Sequence, residues 1–335
     1  MTILVTGANG HVGANLVRTL VTQGKPVRAL IHVDRRAVEG LDIEIVQGDI
    51  RKSESLDRAF AGIDTVYHLA ANLSLTTTRE LETVNVSGTK NVVDACLRHK
   101  VKRMVHFSSI DAVAHNTNIK LIDESSPLVQ SSYYSTYGQS KAAAEREIHR
   151  GLKQGLNIVI VRPTAILGPF DYQPSFFGEV LLSLAHGRLP GLVEGGFDWV
   201  DVRDVIQGAI QAEKIATSGA DYLLSGHWAS LCDVAAMVND TAGRGIPKFV
   251  CPLWLAGIGA PFATAYALVR KKRPLFTRFS IKTVRNSRHV SHEKATRELG
   301  YQPRPLQNSV EDTLKWFCEA GKLYLAKNNR IEKPQ

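Results

Sequence analysis

The sequence predicts an α/β protein in which a doubly wound, mainly parallel sheet is accompanied by a smaller C-terminal α+β lobe. Short apolar runs of strand length alternate with longer segments of helical periodicity from the first residues onward, a pattern typical of parallel sheets. A glycine-rich turn joins the first strand to the first helix. The chain has 335 residues, which is enough to bury a large core and to form a second lobe.

The glycine-rich turn, Thr6–Gly13, follows the apolar run Ile3–Val5 and opens a helical segment. Strand, tight turn and helix are the context that the dinucleotide fingerprint of a Rossmann sheet requires. Gly7 can turn the chain, Gly10 can let a pyrophosphate approach the backbone, and Gly13 can let the helix pack closely on its strand. A turn that only connects strand and helix is the alternative. The residues expected to contact the dinucleotide here are Gly7, Asn9, Gly10, His11, Val12 and Gly13.

The segment after the second strand, Val27–Ile31, is expected to meet the adenosine ribose of the cofactor. No carboxylate stands at the strand end itself, and the cations His32, Arg35 and Arg36 follow, so the sequence favours NADP. NAD remains possible because Asp34 could bind a ribose hydroxyl.

Two further strands are predicted at Ile43–Gln47 and Thr65–Leu69, and a helix at Leu81–Arg98. Residues just past the carboxyl ends of these strands should line the cofactor, since ligands of doubly wound sheets bind there. These residues are Asp49, Ile50, Leu69, Ala70 and Ala71. His68, inside the fourth strand, is interpreted as a core histidine rather than a catalytic one.

The fifth predicted strand, Arg103–Phe107, ends at Ser108 and Ser109. Further along, Tyr137 and Lys141 stand four residues apart in a helical segment and therefore share one face. A lysine ammonium near a phenol would lower the pKa of the phenol toward neutrality, as an acid–base catalyst needs. An exposed helix face is the alternative explanation of this pair.

Thr6–Gly13, Ser108-Ser109, Tyr137-x-x-x-Lys141 and Arg162-Pro163 occur in the order found in the extended short-chain dehydrogenase/reductase family, which the chain resembles over essentially its whole length. The resemblance implies that Tyr137 exchanges a proton with the substrate oxygen. It further implies that Ser109, with Ser108 as the alternative, orients that oxygen, and that Lys141 holds the nicotinamide ribose. The other cofactor contacts that it implies are Asp49, Ile50, Asn85, Pro163 and Thr164.

Within that family, the stretches Val27–His32, Ser108–Asp111 and Arg162–Pro169 resemble the dihydroflavonol reductase and 3β-hydroxysteroid dehydrogenase branch. This branch implies an NAD(P)H-dependent oxidoreductase that interconverts a ketone or aldehyde and an alcohol on an apolar, cyclic molecule. A nucleotide-sugar epimerase or dehydratase with tightly held NAD is the alternative. Ala114-His115 disfavour it, because such enzymes commonly carry Tyr-Gly near that place.

The chain is expected to divide into a dinucleotide-binding domain, 1–168, and a mainly substrate-binding lobe, 169–335, with about 195–225 returning to the first domain. The long, almost uncharged stretch Pro252–Val269, followed by the basic run Arg270–Arg273, is interpreted as a lid over the substrate pocket. An interfacial helix and simple core packing are the alternatives.

Composition excludes several other classes of protein. The net charge is +9, but the basic residues are scattered, so we expect no nucleic-acid partner and membrane contact that is at most peripheral. The four cysteines lie far apart, which indicates a reducing compartment and no metal site. The first strand begins too early for a signal peptide, which predicts a cytoplasmic protein with a small-molecule substrate. A homodimer is compatible with the sequence.

Overall fold

The structure, a computed structural model, describes residues 1–73, 78–114, 121–131, 134–189, 191–243, 245–247, 249–253, 255 and 289–324. Within this part of the chain, seven parallel strands form the main sheet. They are β1 (Ile3–Thr6), β2 (Val27–Ile31), β3 (Glu44–Gln47), β4 (Thr65–His68), β5 (Arg103–Phe107), β6 (Ile158–Pro163) and β10 (Asp221–Leu224). Their spatial order is β10-β6-β5-β4-β1-β2-β3, so the winding reverses between β1 and β4, where doubly wound sheets bind ligands.

Helices cover both faces of the main sheet, which confirms the predicted doubly wound fold. On one face pack α1 (His11–Thr22), α7 (Val202–Ile215) and α9 (Glu293–Leu299). On the other face pack α2 (Asp57–Phe60), α4 (Gly88–Arg98) and α5 (Thr136–Lys153). Apart from the edge strand β3, in which only Val46 is buried, the strands between these layers are almost completely buried, as near-continuous apolar runs in a parallel sheet require.

Among the described residues, the second lobe combines small sheets with three helices around its own apolar core. Its strands are β7 (Ala165–Leu167), β8 (Leu192–Val193), β9 (Gly196–Asp201), β11 (His227–Ser230) and β12 (Val250–Cys251), and its helices are α6 (Phe176–Ala185), α8 (Leu231–Ala242) and α10 (Leu306–Glu319). A mixed sheet has the order β11-β9-β7, and β8 pairs with β12. After β9, the chain returns through α7 to place β10 beside β6. The domain boundary at residue 168 stays a prediction.

The predicted helix Leu81–Arg98 is wrong in two respects. The helical stretch begins earlier, with α3 (Thr78–Leu81), and it passes through a π-helical turn, Glu82–Ser87, before α4. A π turn holds an extra residue, which a search for 3.6-residue periodicity does not reveal. Gly88 follows this turn, and a Cβ at that position would lie 2.6 Å from the Cδ1 of Ile50. The close packing of α4 on the segment after β3 therefore requires glycine there.

Most of the predicted lid, Pro252–Val269, and the whole basic run after it lie outside the described residues, as does His115. Among the helices that the structure describes, none is long and apolar enough to cross a membrane.

Candidate active site

The glycines of the first turn differ in what surrounds them. Gly7 has a φ of +71°, and a Cβ on it would lie 2.6 Å from the backbone nitrogen of Ala70. A Cβ on Gly13 would lie 2.1 Å from the carbonyl oxygen of Gly7. A Cβ on Gly10 would have a single neighbour within 4 Å, that same oxygen at 3.4 Å. The fold itself therefore demands glycine at positions 7 and 13, whereas Gly10 borders open space.

Helix α1 begins at the N-cap residue Gly10, and no side chain caps it. The N–H groups of a first helical turn have no partner inside the helix, and their dipole favours an anion. His11, Val12 and Gly13 contribute these N–H groups. Open space at Gly10 beside an uncapped helix start fits the pyrophosphate of a dinucleotide.

The structure brings Ser109, Tyr137 and Lys141 together beyond the carboxyl end of β5. Tyr137 lies in the first turn of α5, close enough to the side chain of Ser109 for the serine to lower the pKa of its phenol. Lys141, one turn further, has an exposed fraction of only 3%, and its Nζ donates to the carbonyl oxygen of Phe107 at 2.7 Å. Ser108 is buried, and its Oγ has no partner among the described residues. Of the two serines, Ser109 is therefore the one that contacts the phenol.

The pKa shifts of Tyr137 and Lys141 differ from those expected from the sequence. Burial, and secondarily the charge of Asp111, raise the pKa of Tyr137 above its usual value, and only the side chain of Ser109 opposes them. Burial lowers the pKa of Lys141 to about 8, against an opposing effect of Glu145. Lys141 is not among the groups that shift the pKa of Tyr137 in this structure, and its ammonium donates to the Phe107 carbonyl. The lowering expected from Lys141 together with a bound nicotinamide stays a prediction.

A chain of buried polar groups supports the start of α5. Ser140 Oγ donates to the carbonyl oxygen of Tyr137 at 2.7 Å and accepts from Asn85 Nδ2 at 2.9 Å. The Asn85 amide also binds the backbone of Asn72, accepting from its nitrogen at 2.7 Å and donating to its oxygen at 3.0 Å. Asn85 therefore ties the loop after β4 to the catalytic helix.

His68 lies beneath this chain. Its ring is 1% exposed and makes hydrogen bonds with Thr6 Oγ1 at 2.8 Å and with Thr89 Oγ1 at 3.0 Å. Burial, and to a smaller degree the charge of Lys141, lower its pKa to about 3. A neutral ring with both nitrogens bonded is a structural group, which confirms the interpretation of His68 as a core histidine.

The end of β6 carries a contact that sequence reasoning missed. Thr164 follows Pro163 and donates through Oγ1 to Asp198 Oδ1 at 2.7 Å, and the same oxygen accepts from the Gly226 backbone at 2.8 Å. Asp198 lies in β9 and is 5% exposed, and its burial raises the pKa of the carboxyl group. Because 34 residues separate the partners, no local pattern points to this bond.

The predicted ribose-binding residues differ in whether a carboxylate of the protein already binds them. Arg36 donates to both carboxylate oxygens of Asp34, from Nε at 3.0 and 3.1 Å and from Nη2 at 2.7 Å, and it holds the pKa of that carboxyl well below its usual range. Arg35 is exposed and makes no ion pair with the described residues. His32 Nε2 lies 3.5 Å from Asp49 Oδ2, whose carboxylate also binds Arg51. Of the two candidate arginines, only Arg35 is free of a carboxylate partner within this part of the chain.

Sequence reasoning also missed a buried ion pair behind the catalytic helix. Arg162 donates from Nε and Nη2 to the two oxygens of Glu145, at 2.9 and 2.7 Å, and it also contacts Asp221 of β10. Glu145 is fully buried and stands one turn after Lys141. This pair joins α5 to β6 and β10 below the site. The available signal for this pair in the sequence was the position of Glu145, four residues after Lys141.

A doubly wound sheet with an uncapped helix start at its switch point, and a Ser–Tyr–Lys set beyond β5, defines a nucleotide-binding α/β enzyme. The sequence profile of the NAD dependent epimerase/dehydratase family matches residues 3–222. The chain therefore belongs to this family, a group of enzymes of the extended short-chain dehydrogenase/reductase type.

Several characterised relatives match nearly the whole chain. Sterol demethylase protein B of Methylococcus capsulatus is 33% identical over 96% of this chain and 99% of its own length. A putative dihydroflavonol 4-reductase of Synechocystis is 33% identical over 95% of this chain and 94% of its own. A 3-beta-hydroxysteroid dehydrogenase of Mycolicibacterium neoaurum is 30% identical over 90% and 87%.

Solved structures resemble the fold equally broadly. The crystal structure of gox2253 has a TM-score of 0.85 at 31% identity and covers 96% of this chain and 99% of that one. A UDP-glucose 4-epimerase from Thermus thermophilus, solved with NAD, has a TM-score of 0.76 at 24% identity, with 96% and 100% coverage. At this identity the epimerase shows a shared fold and no more.

Proposed function

We propose that the protein is an NAD(P)H-dependent oxidoreductase that interconverts a ketone or aldehyde and an alcohol on an apolar, cyclic substrate. The observation that carries this proposal is the proximity of three side chains: Ser109 lies beside the phenol of Tyr137, and Lys141 lies one helical turn away with its Nζ bound to the carbonyl oxygen of Phe107. All three lie at the edge of the sheet where the glycine turn and Thr164 also lie.

In the reductive direction Tyr137 donates its phenolic proton to the carbonyl oxygen of the substrate. Ser109 orients that oxygen and donates a hydrogen bond as negative charge develops on it. A bound reduced nicotinamide supplies the hydride. Lys141 places a positive charge behind the phenol and stabilises the phenolate that remains. The phenol of Tyr137 is protonated at neutral pH, so its proton is available to the carbonyl oxygen of the substrate.

The apolar nature of the substrate is supported by the relatives. The names of the relatives refer to a sterol, a dihydroflavonol and a steroid, which are polycyclic molecules.

We propose NADPH as the preferred cofactor, with Arg35 as the main ligand of the 2′-phosphate and with Arg36 and His32 beside it. A phosphate needs cationic or hydrogen-bond-donating groups, and Arg35 is an exposed guanidinium without a carboxylate partner in the described structure. For the setting, we propose a cytoplasmic protein, with membrane contact at most peripheral, that acts on a small molecule and forms a homodimer.

The test is an activity screen of the full chain with NADPH and NADH against ketosteroids, flavanonols, aldehydes and UDP-sugars. Tyr137→Phe should lower turnover about 100-fold or more and leave NADPH binding, measured by fluorescence, almost unchanged. Near-normal turnover in this variant would refute the mechanism.

The denatured protein also distinguishes the two enzyme classes. Release of one equivalent of NAD per chain, read from absorbance, would contradict a freely exchanging reductase and favour a nucleotide-sugar epimerase.

A further inference from the structure

The segment that joins β7 to α6 begins with residues 168–173, called here the crossover segment. Three side chains on one face of α1 contact it: His11, Asn15 and Arg18, spaced by four and three residues. His11 Nε2 lies 3.1 Å from the carbonyl oxygens of both Gly168 and Pro169. Asn15 Nδ2 donates to the Pro169 oxygen at 2.8 Å. Two side chains of α1 thus bind consecutive carbonyl groups of the crossover segment.

Arg18 extends the same face toward the second lobe. Its guanidinium carbon lies 4.7 Å from the ring centroid of Phe170 and 5.2 Å from that of Tyr172. Its Nη2 donates to the Tyr172 hydroxyl at 2.7 Å. Stacking combined with a directed hydrogen bond fixes the orientation of both rings.

The backbone of the crossover segment is held in an uncommon conformation. Phe170 has a φ of +60°, a backbone conformation that residues other than glycine rarely adopt. Gly168 has a φ of +142°, and a Cβ on it would lie 2.4 Å from Val202 Cγ1. Such a conformation persists only where its surroundings over-determine it, and the contacts from α1 are such surroundings.

His11 takes part both in the proposed pyrophosphate site and in the contact with the crossover segment. Its backbone N–H lies in the uncapped first turn of α1, where the proposed function puts the pyrophosphate, and its ring binds the crossover segment. Resting on that proposed function, we propose that His11, Asn15 and Arg18 are positioning residues that couple dinucleotide binding to the placement of the crossover segment and of α6.

The physical basis is shared ordering. A pyrophosphate that binds the first turn of α1 restricts the motion of His11, and the cost of ordering that residue is then already met when its ring binds Gly168 and Pro169. The coupling is reciprocal, so a fixed crossover segment also strengthens dinucleotide binding. A bound dinucleotide therefore favours the position of α6 that the contacts of α1 with the crossover segment define.

Amide hydrogen exchange of the full chain, with and without saturating NADPH, tests this coupling without any substrate. In the unmodified protein, NADPH should slow exchange in residues 168–178 by about 10-fold, within the usual range of coupling between sites. In His11→Leu, NADPH should still bind but slow exchange there by less than about 2-fold. His11→Gln, which keeps a donor, should recover part of the effect.

Thr19→Val is the matched control, because the Thr19 hydroxyl bonds within α1 to the Asn15 carbonyl at 3.0 Å and not to the crossover segment. It should keep the full NADPH effect. Arg18→Met is a second, independent variant should His11→Leu fail to fold, and it should lose protection around residues 170–173.

The outcomes separate the two proposals. Absence of NADPH and NADH binding by the unmodified protein would overturn the proposed function itself. Binding without slowed exchange in the crossover segment, or an undiminished effect in His11→Leu and Arg18→Met, would overturn the coupling and leave the oxidoreductase proposal intact.

Discussion

Lys141 is an ammonium group in a site where its exposed fraction is 3%, and this burial has a measurable cost. Its pKa falls from an ordinary 10.5 to about 8 on folding. As the pH rises, the folded chain therefore releases this proton before the unfolded chain does. The cost of burying the charge is fully present below about pH 8 and disappears as the pH passes 10.5.

Lys141→Met removes this titration. Between pH 8 and 10.5, the free energy of unfolding of the unmodified protein should rise relative to that of the variant by about 3 kcal/mol. Urea unfolding at several pH values measures the difference. Parallel stability curves for the two proteins would contradict the buried, partly suppressed charge, while loss of turnover in the variant would show why the charge is retained.

The adjacent serines make a matched pair at the same scale. Ser109 lies beside Tyr137 and lowers the pKa of its phenol, whereas the Oγ of Ser108 is buried and has no partner among the described residues. Ser109→Ala should lower turnover about 100-fold by removing a donor to the developing oxyanion, and Ser108→Ala should change it by less than about 3-fold. Steady-state kinetics on any accepted ketone provides the comparison. Equal losses in the two variants would remove the distinction drawn from the structure.

Substitutions of the two arginines after β2 should also differ in their effects on cofactor use. Arg35→Ala should raise the Michaelis constant for NADPH about 10-fold and leave that for NADH nearly unchanged, because only NADPH carries the 2′-phosphate. Arg36→Ala should have the smaller effect on NADPH and should improve the use of NADH, because it removes the ion pair on Asp34 and leaves only Gln173 and a backbone N–H bound to that carboxylate. A preference of the unmodified enzyme for NADH would overturn the cofactor proposal and make Asp34 the ribose ligand.

At the scale of the element, the strand–turn–helix unit allows fold and ligand requirements to be distinguished. Gly13→Ala should destabilise the protein by about 4 kcal/mol or more, because its Cβ would lie 2.1 Å from a backbone oxygen that cannot move away. Gly10→Ala should cost only about 1 kcal/mol yet weaken NADPH binding at least about 10-fold. Thermal unfolding and cofactor titration measure the two effects. Unchanged NADPH affinity in Gly10→Ala would contradict the pyrophosphate site.

The elements themselves were largely accessible to sequence reasoning, because parallel strands are short apolar runs and the glycine turn has a strict local spacing. Contacts between distant segments were not. The bonds of His11 to Gly168 and Pro169 join residues 157 and 158 positions apart. The π turn escaped for a different reason, since one added residue shifts a periodicity without abolishing it. The proposed catalytic set rests on the order of motifs shared with the family, since the spacing of Tyr137 and Lys141 alone fits an exposed helix face equally well.

At the scale of the molecule, the main sheet is completed by a strand from late in the chain. β10 pairs with β6 from Ile160↔Asp221 to Pro163↔Leu224, and Asp221 also contacts Arg162. A fragment of residues 1–168 would expose the edge of β6, a strand that is buried along its whole length. It would also leave Arg162 with one carboxylate partner fewer.

We therefore expect the fragment 1–168 to lack a cooperative unfolding transition and to aggregate, in contrast to the full chain. Circular dichroism melting and size-exclusion chromatography would show this. A monomeric fragment with a sharp melt would indicate that the sheet is stable without its seventh strand.

The late arrival of β10 also limits how such enzymes can be recombined in the laboratory. A chimera made by a single junction near residue 168 would graft a foreign seventh strand onto the parental β6, so its two parents would have to agree in the register of that pair. Libraries that seek new substrates should instead exchange material between β7 and β9, where both ends of the insert join paired strands of the same parent, and should keep the pairing of β8 with β12.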